Sequence, residues 1–312
     1  MRIKNILITG GGGFVGSHLV EFLSKKNNFK IFVITKSNIY FRNSNIIQYI
    51  YIENLNHINL KEKLPNNIDC IIHLAGKAHS NFSYKEYYES NYLLTKKIYD
   101  YAVSIKLKKF IYLSTIKVNG EFSINNKPFT NIDKPDPIDN YAKTKYLAEK
   151  YILENSKNNE TLVYIIRPPL ILGRNVKGNI DLFIKLLKLK IPLPLKNINN
   201  KRSFLSIKNL NTFIEQLVFN YNGKNDIFLI SDGYSISTSE LFFKKSYFSK
   251  IKFNNFYVNK FIIFLICNLL FLKKYYQKLF FSQEIDIEYT KRTVNWKPKE
   301  VLDQTLESIF NE

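Results

Sequence analysis

The sequence predicts an α/β protein built on a doubly wound parallel sheet, followed by a smaller, mostly helical C-terminal region. Three observations carry that expectation. Short apolar, β-rich runs alternate with helical patterns through the first half of the chain, and a glycine cluster separates the first run from the first helical pattern. The alternation then stops after Pro168 and Pro169, where proline, asparagine and long apolar stretches take over.

The elements follow in order. Asn5 to Thr9 reads as the first strand and Val15 to Ser24 as the first helix, its apolar residues recurring at three and four. Lys30 to Thr35, Cys70 to Ala75, Phe110 to Ser114 and Leu162 to Arg167 are the further strands, with helical patterns over Glu86 to Ile105 and Tyr141 to Asn155 between them. Residues 1–168 are therefore expected to form the sheet domain and residues 169–312 the region that binds substrate. Arg202 to Ile207, the helix-like Leu210 to Phe219 and Asp226 to Ile230 look like elements of 202–232 returning to the sheet.

With 312 residues, 45% apolar and 23% charged, the chain has enough material for a large core, which excludes disorder and a small stapled scaffold. Cys70 and Cys267 lie far apart in apolar runs and read as buried thiols of a reducing compartment. No signal-peptide pattern stands at the amino end, so a cytoplasmic location is expected. The apolar run Phe261 to Leu272 would cover only ~18 Å as a helix, too little for a ~30 Å hydrocarbon layer. It is expected to be a buried core helix, with docking on a membrane surface as the alternative, since Lys260, Lys273 and Lys274 flank it.

The 46 basic and 26 acidic residues give a net charge of +20, but only six of the basic residues are arginines and the lysines are dispersed. Phosphate and base recognition favours arginine, so no nucleic-acid partner is expected. The charge suits anionic small molecules.

Four features carry chemistry. Ile6 to Thr9 runs into Gly10, Gly11, Gly12 and Gly13 and then Phe14, Val15 and Gly16, a strand, a glycine turn and a helix start. Gly10, Gly13 and Gly16 would let the backbone approach a pyrophosphate at a helix N-terminus, the signature of dinucleotide binding. No Asp or Glu occurs from Lys25 through Ile52, where an acid would read a ribose 2′-hydroxyl, while Lys36 could meet a 2′-phosphate. The cofactor is thus NADP(H) or NAD(H), with a lean towards NADP(H). Tyr141 and Lys145, four residues apart on one helical face, pair a phenol with an ammonium that would stabilise its phenolate for proton exchange. Thr115 ends a strand at the carboxyl edge of the sheet, where its hydroxyl would hold a reacting oxygen. The four histidines form no metal-binding spacing, so no metal is expected, and His79 is a candidate for contact with substrate.

Together these residues resemble the extended short-chain dehydrogenase/reductases, the NAD-dependent epimerase/dehydratase family. Thr9 to Gly16 looks like the family's cofactor fingerprint, His73-Leu74-Ala75-Gly76 like its fourth-strand end and Asn91 like the asparagine of the next helix. The resemblance implies a Rossmann fold, with Thr115, Tyr141 and Lys145 catalytic. It implies cofactor contacts from Gly10, Gly13, Phe14, Val15, Gly16, Lys36, Leu74, Ala75, Gly76, Asn91, Tyr141, Lys145 and Pro168. Thr115, Asn119, Asn179 and Arg202 would bind substrate, Arg202 meeting a nucleotide diphosphate. Ile116 to Glu121, Arg167 to Leu170, Val176 to Asn179 and Leu193 to Leu195 are similar to the subgroup of UDP-glucose 4-epimerase and nucleotide-sugar 4-keto reductases. Asn119 stands where galactose epimerases carry a tyrosine, and its amide is expected to face the sugar. The implied reaction is hydride transfer at carbon 4 of a UDP-hexose or UDP-N-acetylhexosamine in surface polysaccharide assembly, with a homodimer left open. The alternative is a non-catalytic dinucleotide-binding regulator, which the three catalytic matches disfavour.

Overall fold

The structure, a computed structural model, describes residues 4–310 except 27, 37–43, 56–57, 79–81, 125–126, 176–188, 190–191, 197 and 253. Its strands are β1 (Lys4–Thr9), β2 (Phe29–Thr35), β3 (Ile47–Tyr51), β4 (Cys70–His73), β5 (Lys109–Leu113), β6 (Leu162–Arg167), β7 (Leu170–Leu172), β8 (Arg202–Ser206), β9 (Asp226–Leu229) and β10 (Ser235–Ile236). The helices are α1 (Phe14–Ser24), α2 (Leu60–Lys63), α3 (Tyr84–Tyr87), α4 (Leu94–Ser104), α5 (Asn140–Ser156), α6 (Ile207–Phe219), α7 (Thr238–Ser249), α8 (Lys260–Leu269), α9 (Lys273–Phe280), α10 (Glu288–Val294) and α11 (Leu302–Phe310). A π-helical stretch, Tyr88–Leu93, joins α3 to α4.

Seven strands form the central sheet in the order β3-β2-β1-β4-β5-β6-β9, every neighbouring pair parallel. Strands covered on both faces read as continuous apolar runs, and Ile6, Leu7 and Ile8 of β1 are all fully buried. Alternation sends Ile6 and Ile8 to the face packed by α1 and α6, through Leu19, Leu23, Leu210, Phe213 and Leu217. Leu7 joins the opposite cluster with Ile98 of α4 and Ala148 and Ile152 of α5. This is the Rossmann arrangement. The direction of strand order reverses between β1 and β4, and the crevice above their carboxyl ends is where such sheets bind ligands.

The structure departs from expectation at four places. The edge strand β3 was not anticipated, because its side chains are only half-buried and its Ile-Gln-Tyr-Ile-Tyr sequence lacks the apolar run of a central strand. β4 ends at His73, since Leu74 to Gly76 turn off to line the crevice. Of the returning elements, β9 pairs with β6 in the central sheet, whereas β8 belongs to a second sheet of order β10-β8-β7. The run Phe261 to Leu272 is not a core helix: of α8 only Ile263 is buried, and Cys267 is partly exposed rather than buried. No helix among the described residues is long and apolar enough to cross a membrane.

Candidate active site

The site is assembled from loops at the carboxyl ends of β1, β4, β5 and β6. After Thr9 the chain turns through Gly10, whose φ of +72° lies in the left-handed region, and a Cβ there would stand 2.7 Å from the Ala75 nitrogen. Gly16 packs α1 down on the turn so closely that a Cβ would stand 2.2 Å from the Gly10 carbonyl oxygen. Gly13 caps α1 with an ordinary extended backbone and no side-chain cap, so the first-turn N–H groups of Phe14, Val15 and Gly16 are left for a ligand. The side chains of Phe14 and Val15 point elsewhere: both pack on the core, and Phe14 lies edge-on to His18.

A buried chain of hydrogen bonds holds this crevice rigid. The Thr95 hydroxyl donates to the Asn91 carbonyl at 2.6 Å, so its oxygen accepts from His73 Nε2 at 2.9 Å. His73 Nδ1 then accepts from Thr9 at 2.6 Å, and Thr9 Oγ1 in turn accepts the Ala75 N–H at 3.3 Å. Burial, helped by the Lys145 charge, pushes the His73 pKa down to about 3, so the ring stays neutral and the assigned tautomer persists. Leu74, Ala75 and Gly76 are thereby fixed beside Gly10. Asn91, expected among the cofactor contacts, is instead fully buried: it accepts from the Lys77 N–H at 2.8 Å and donates to the Lys77 carbonyl and to Thr144. Its amide pins the β4 loop to α5, and a Cβ on Gly76 would meet its Oδ1 at 2.8 Å. The π-helical stretch that carries Asn91 widens the helix at this point, as such stretches often do at functional sites.

Thr115, Tyr141 and Lys145 come together at the ends of β5 and α5. Asp139 caps α5 by accepting the Ala142 N–H at 2.7 Å, which starts the helix one residue before Tyr141 and turns Tyr141 and Lys145 towards β5. Thr115 lies in extended backbone at the start of a 3₁₀ turn, Ile116–Val118, whose Ile116 N–H donates to the Pro168 carbonyl at 2.9 Å. The Thr115 hydroxyl lies beside the Tyr141 phenol. Burial raises the pKa of that phenol; the neighbouring Thr115 hydroxyl opposes this and the Asp139 charge adds to it. The Lys145 ammonium is only 4% exposed, donates to the Leu113 carbonyl at 2.6 Å and sits 4.3 Å over the Tyr112 ring. Burial pulls its pKa down to about 7, with Glu149 opposing. The expected lowering of the Tyr141 pKa by Lys145 is thus not what the structure shows. The ammonium donates to the Leu113 carbonyl, and desolvation is the largest influence on the phenol.

Substrate-side expectations divide. Asn119 is 3% exposed, accepts from Arg167 Nη1 at 2.8 Å and donates to the Thr130 carbonyl at 3.1 Å, so its amide serves the protein rather than a sugar. Arg202 opens β8 and donates to the Lys278 carbonyl at 3.0 Å, with the carboxylate of Glu121 acting on it. Lys36 is exposed just after β2. Asn179 and His79 lie outside the described residues.

Sequence reading missed Glu149 and Arg167 as a pair. Arg167 donates to both carboxylate oxygens of Glu149, at 3.1 and 2.5 Å, and both side chains are at most 2% exposed. Glu149 follows Lys145 by one turn and Tyr141 by two, a spacing that could have marked it. The pair ties α5 to the end of β6 and, through Asn119, to the loop after Thr115. Glu149→Ala leaves the arginine buried without its partner and is expected to cost about 3–5 kcal/mol of stability, read by urea unfolding. The double variant Glu149→Met/Arg167→Met should cost clearly less. Equal losses would contradict a buried-charge penalty.

The family profile described as the NAD dependent epimerase/dehydratase family matches residues 6–231. A UDP-glucose 4-epimerase of Vibrio cholerae is 32% identical over 309 residues, covering 96% of this chain and 93% of that protein. The chain therefore belongs to the NAD dependent epimerase/dehydratase family, a family of enzymes. Among solved structures, the UDP-glucuronic acid 4-epimerase of Bacillus cereus in complex with NAD superposes with a TM-score of 0.78 at 21% identity, covering 98% of this chain and 97% of that one. The UDP-N-acetylglucosamine 4-epimerase of Bacillus cereus gives 0.78 at 20% identity, with 99% and 96% covered. These two establish likeness of fold along nearly the whole chain.

Proposed function

We propose that this protein is a nucleotide-sugar oxidoreductase acting at carbon 4 of a UDP-hexose or UDP-N-acetylhexosamine, as a 4-keto reductase or a 4-epimerase, in surface polysaccharide assembly in the cytoplasm. The observation that carries the reading is the convergence of Thr115, Tyr141 and Lys145 beside a glycine-lined helix N-terminus. The residues present fit a nicotinamide dinucleotide: first-turn N–H groups of α1 for its pyrophosphate, a glycine turn at Gly10 that lets the chain run close against Ala75, and a buried ammonium at Lys145 for its ribose. Such a cofactor would supply and accept hydride.

The chain's own groups then handle the proton. With its pKa raised, Tyr141 is a neutral phenol across neutral pH and can donate to the sugar oxygen as carbon 4 is reduced. Thr115, beside the phenol, would hold the same oxygen. Arg202 lies on the second sheet, where it would meet the nucleotide diphosphate. Reduction and epimerisation use the same parts, and with Asn119 engaged by Arg167 the amide does not decide between them.

Purified protein incubated with UDP-hexoses, UDP-N-acetylhexosamines and their 4-keto forms, with NADH or NADPH, should give products changed only at carbon 4 by mass and NMR. Failure to convert any of them would overturn the reading. Cofactor choice has its own test. Lys36 is exposed and its ion pair with a 2′-phosphate would be solvent-screened, worth at most ~1 kcal/mol. NADPH should therefore bind at least as tightly as NADH, and Lys36→Asp should shift preference a few-fold towards NADH in calorimetric titration. A neutral substitution in a protein that strongly prefers NADH removes Lys36 from cofactor selection.

A further inference from the structure

We propose that the helical hairpin of α8 and α9 is a docking element for an anionic lipid surface, which partially inserts its apolar tip into one leaflet. Phe261, Ile262, Phe264, Leu265, Ile266, Leu269 and Leu270 are all exposed, and at 100° per residue they cover roughly two-thirds of the helix circumference. A helix lying on a protein core shows the reverse, an apolar stripe facing inward and polar residues outward. At the turn Phe271 is 96% exposed, in a left-handed conformation, with Leu272 and Tyr275 beside it. Contiguous apolar exposure of this kind marks an interaction site.

Charge selects the occupant. From Ile251 to Gln283 the chain carries five lysines, Lys252, Lys260, Lys273, Lys274 and Lys278, and no Asp or Glu. A second copy docking through this surface in a two-fold dimer would bring two lysine rims together with no acid to meet them. It would also leave part of the broad apolar arc of α8 and the exposed Phe271 tip uncovered. An anionic bilayer complements the rim and receives the tip from every side. The length fits insertion without spanning, because ten residues of α8 rise only ~15 Å.

The hairpin is also anchored firmly enough to transmit such a contact. Ile263 and Tyr276 are buried, Tyr276 packs on Phe264, Phe280 and Phe281, and Phe281 meets Phe122 at 5.1 Å in the loop that follows Thr115. Arg202 bonds to the Lys278 carbonyl of α9. The surface element and the substrate-side residues thus share contacts, and the enzyme would work with this end of the molecule against the lipid.

The test is co-sedimentation of the full chain with vesicles of phosphatidylcholine alone and of equal parts phosphatidylcholine and phosphatidylglycerol, with sedimentation velocity of the lipid-free protein in parallel. Wild type is expected to pellet with the anionic vesicles and much less with the neutral ones, and to be released by high salt. Leu265→Glu/Phe271→Glu should lower the bound fraction at least tenfold while leaving circular dichroism and turnover of a soluble nucleotide sugar unchanged. No binding of wild type to the anionic vesicles would overturn the proposal. So would a lipid-free dimer that the double substitution dissolves, because that would make the occupant a second copy.

Discussion

Tyr141→Phe is expected to lower kcat by ~10²–10⁴-fold, the usual worth of a positioned general acid, while the affinity for a nicotinamide dinucleotide stays nearly constant. The substitution removes only the hydroxyl beside Thr115 and keeps the ring that packs 6.0 Å from Tyr87. The pH profile adds a sign. Because burial raises the pKa of the phenol, the donor form persists through neutral pH, so reduction should be flat there. Oxidation needs the phenolate and should accelerate as pH rises towards the raised pKa. Rates in both directions, with cofactor binding measured separately, check both statements. Near-wild-type turnover in the variant would remove Tyr141 from the chemistry.

Gly16→Val should abolish dinucleotide binding, with an affinity loss of at least ~100-fold, or about 2.7 kcal/mol. A Cβ at this position stands 2.2 Å from the Gly10 carbonyl oxygen and 2.6 Å from the Gly11 Cα. Both neighbours are backbone, so no side-chain rotation relieves the clash and α1 must lift off the turn. Gly13→Val is the informative companion. Its φ of −81° suits any residue, and a Cβ would stand 3.3 Å from the Gly10 oxygen, a tight contact but a far milder one than at Gly16, while the branched side chain enters the space in front of α1. Calorimetric titration and thermal melting together separate the two cases. Unchanged affinity in both variants would make the loop purely structural.

Which features were legible in the sequence follows from their range along the chain. The glycine turn and the Tyr141–Lys145 pair are local patterns within one loop and one helix, so the residues themselves predict their geometry. The central strands are legible for a similar reason: covered on both faces, they read as unbroken apolar runs, and the half-covered β3 does not. Hydrogen bonds to tertiary partners were not legible. Asn91 and Asn119 are amides in the right neighbourhood, but Lys77 and Thr144 engage the first, and Arg167 with the Thr130 carbonyl engages the second. Nothing local announces such partners. The run from Phe261 to Leu272 illustrates the same limit in the core, because apolar density signals a need for cover and does not say whether protein or another phase provides it.

The most direct measurement follows a label. The protein is supplied with a UDP-4-keto-hexosamine and a reduced nicotinamide dinucleotide deuterated at the transferring position, and the product is read by NMR and mass. Deuterium at carbon 4 of the sugar, absent when Tyr141→Phe replaces wild type, is the expected result for reductase and epimerase alike. A product carrying ordinary hydrogen at carbon 4, or deuterium at any other carbon, would contradict hydride transfer at that position in this site.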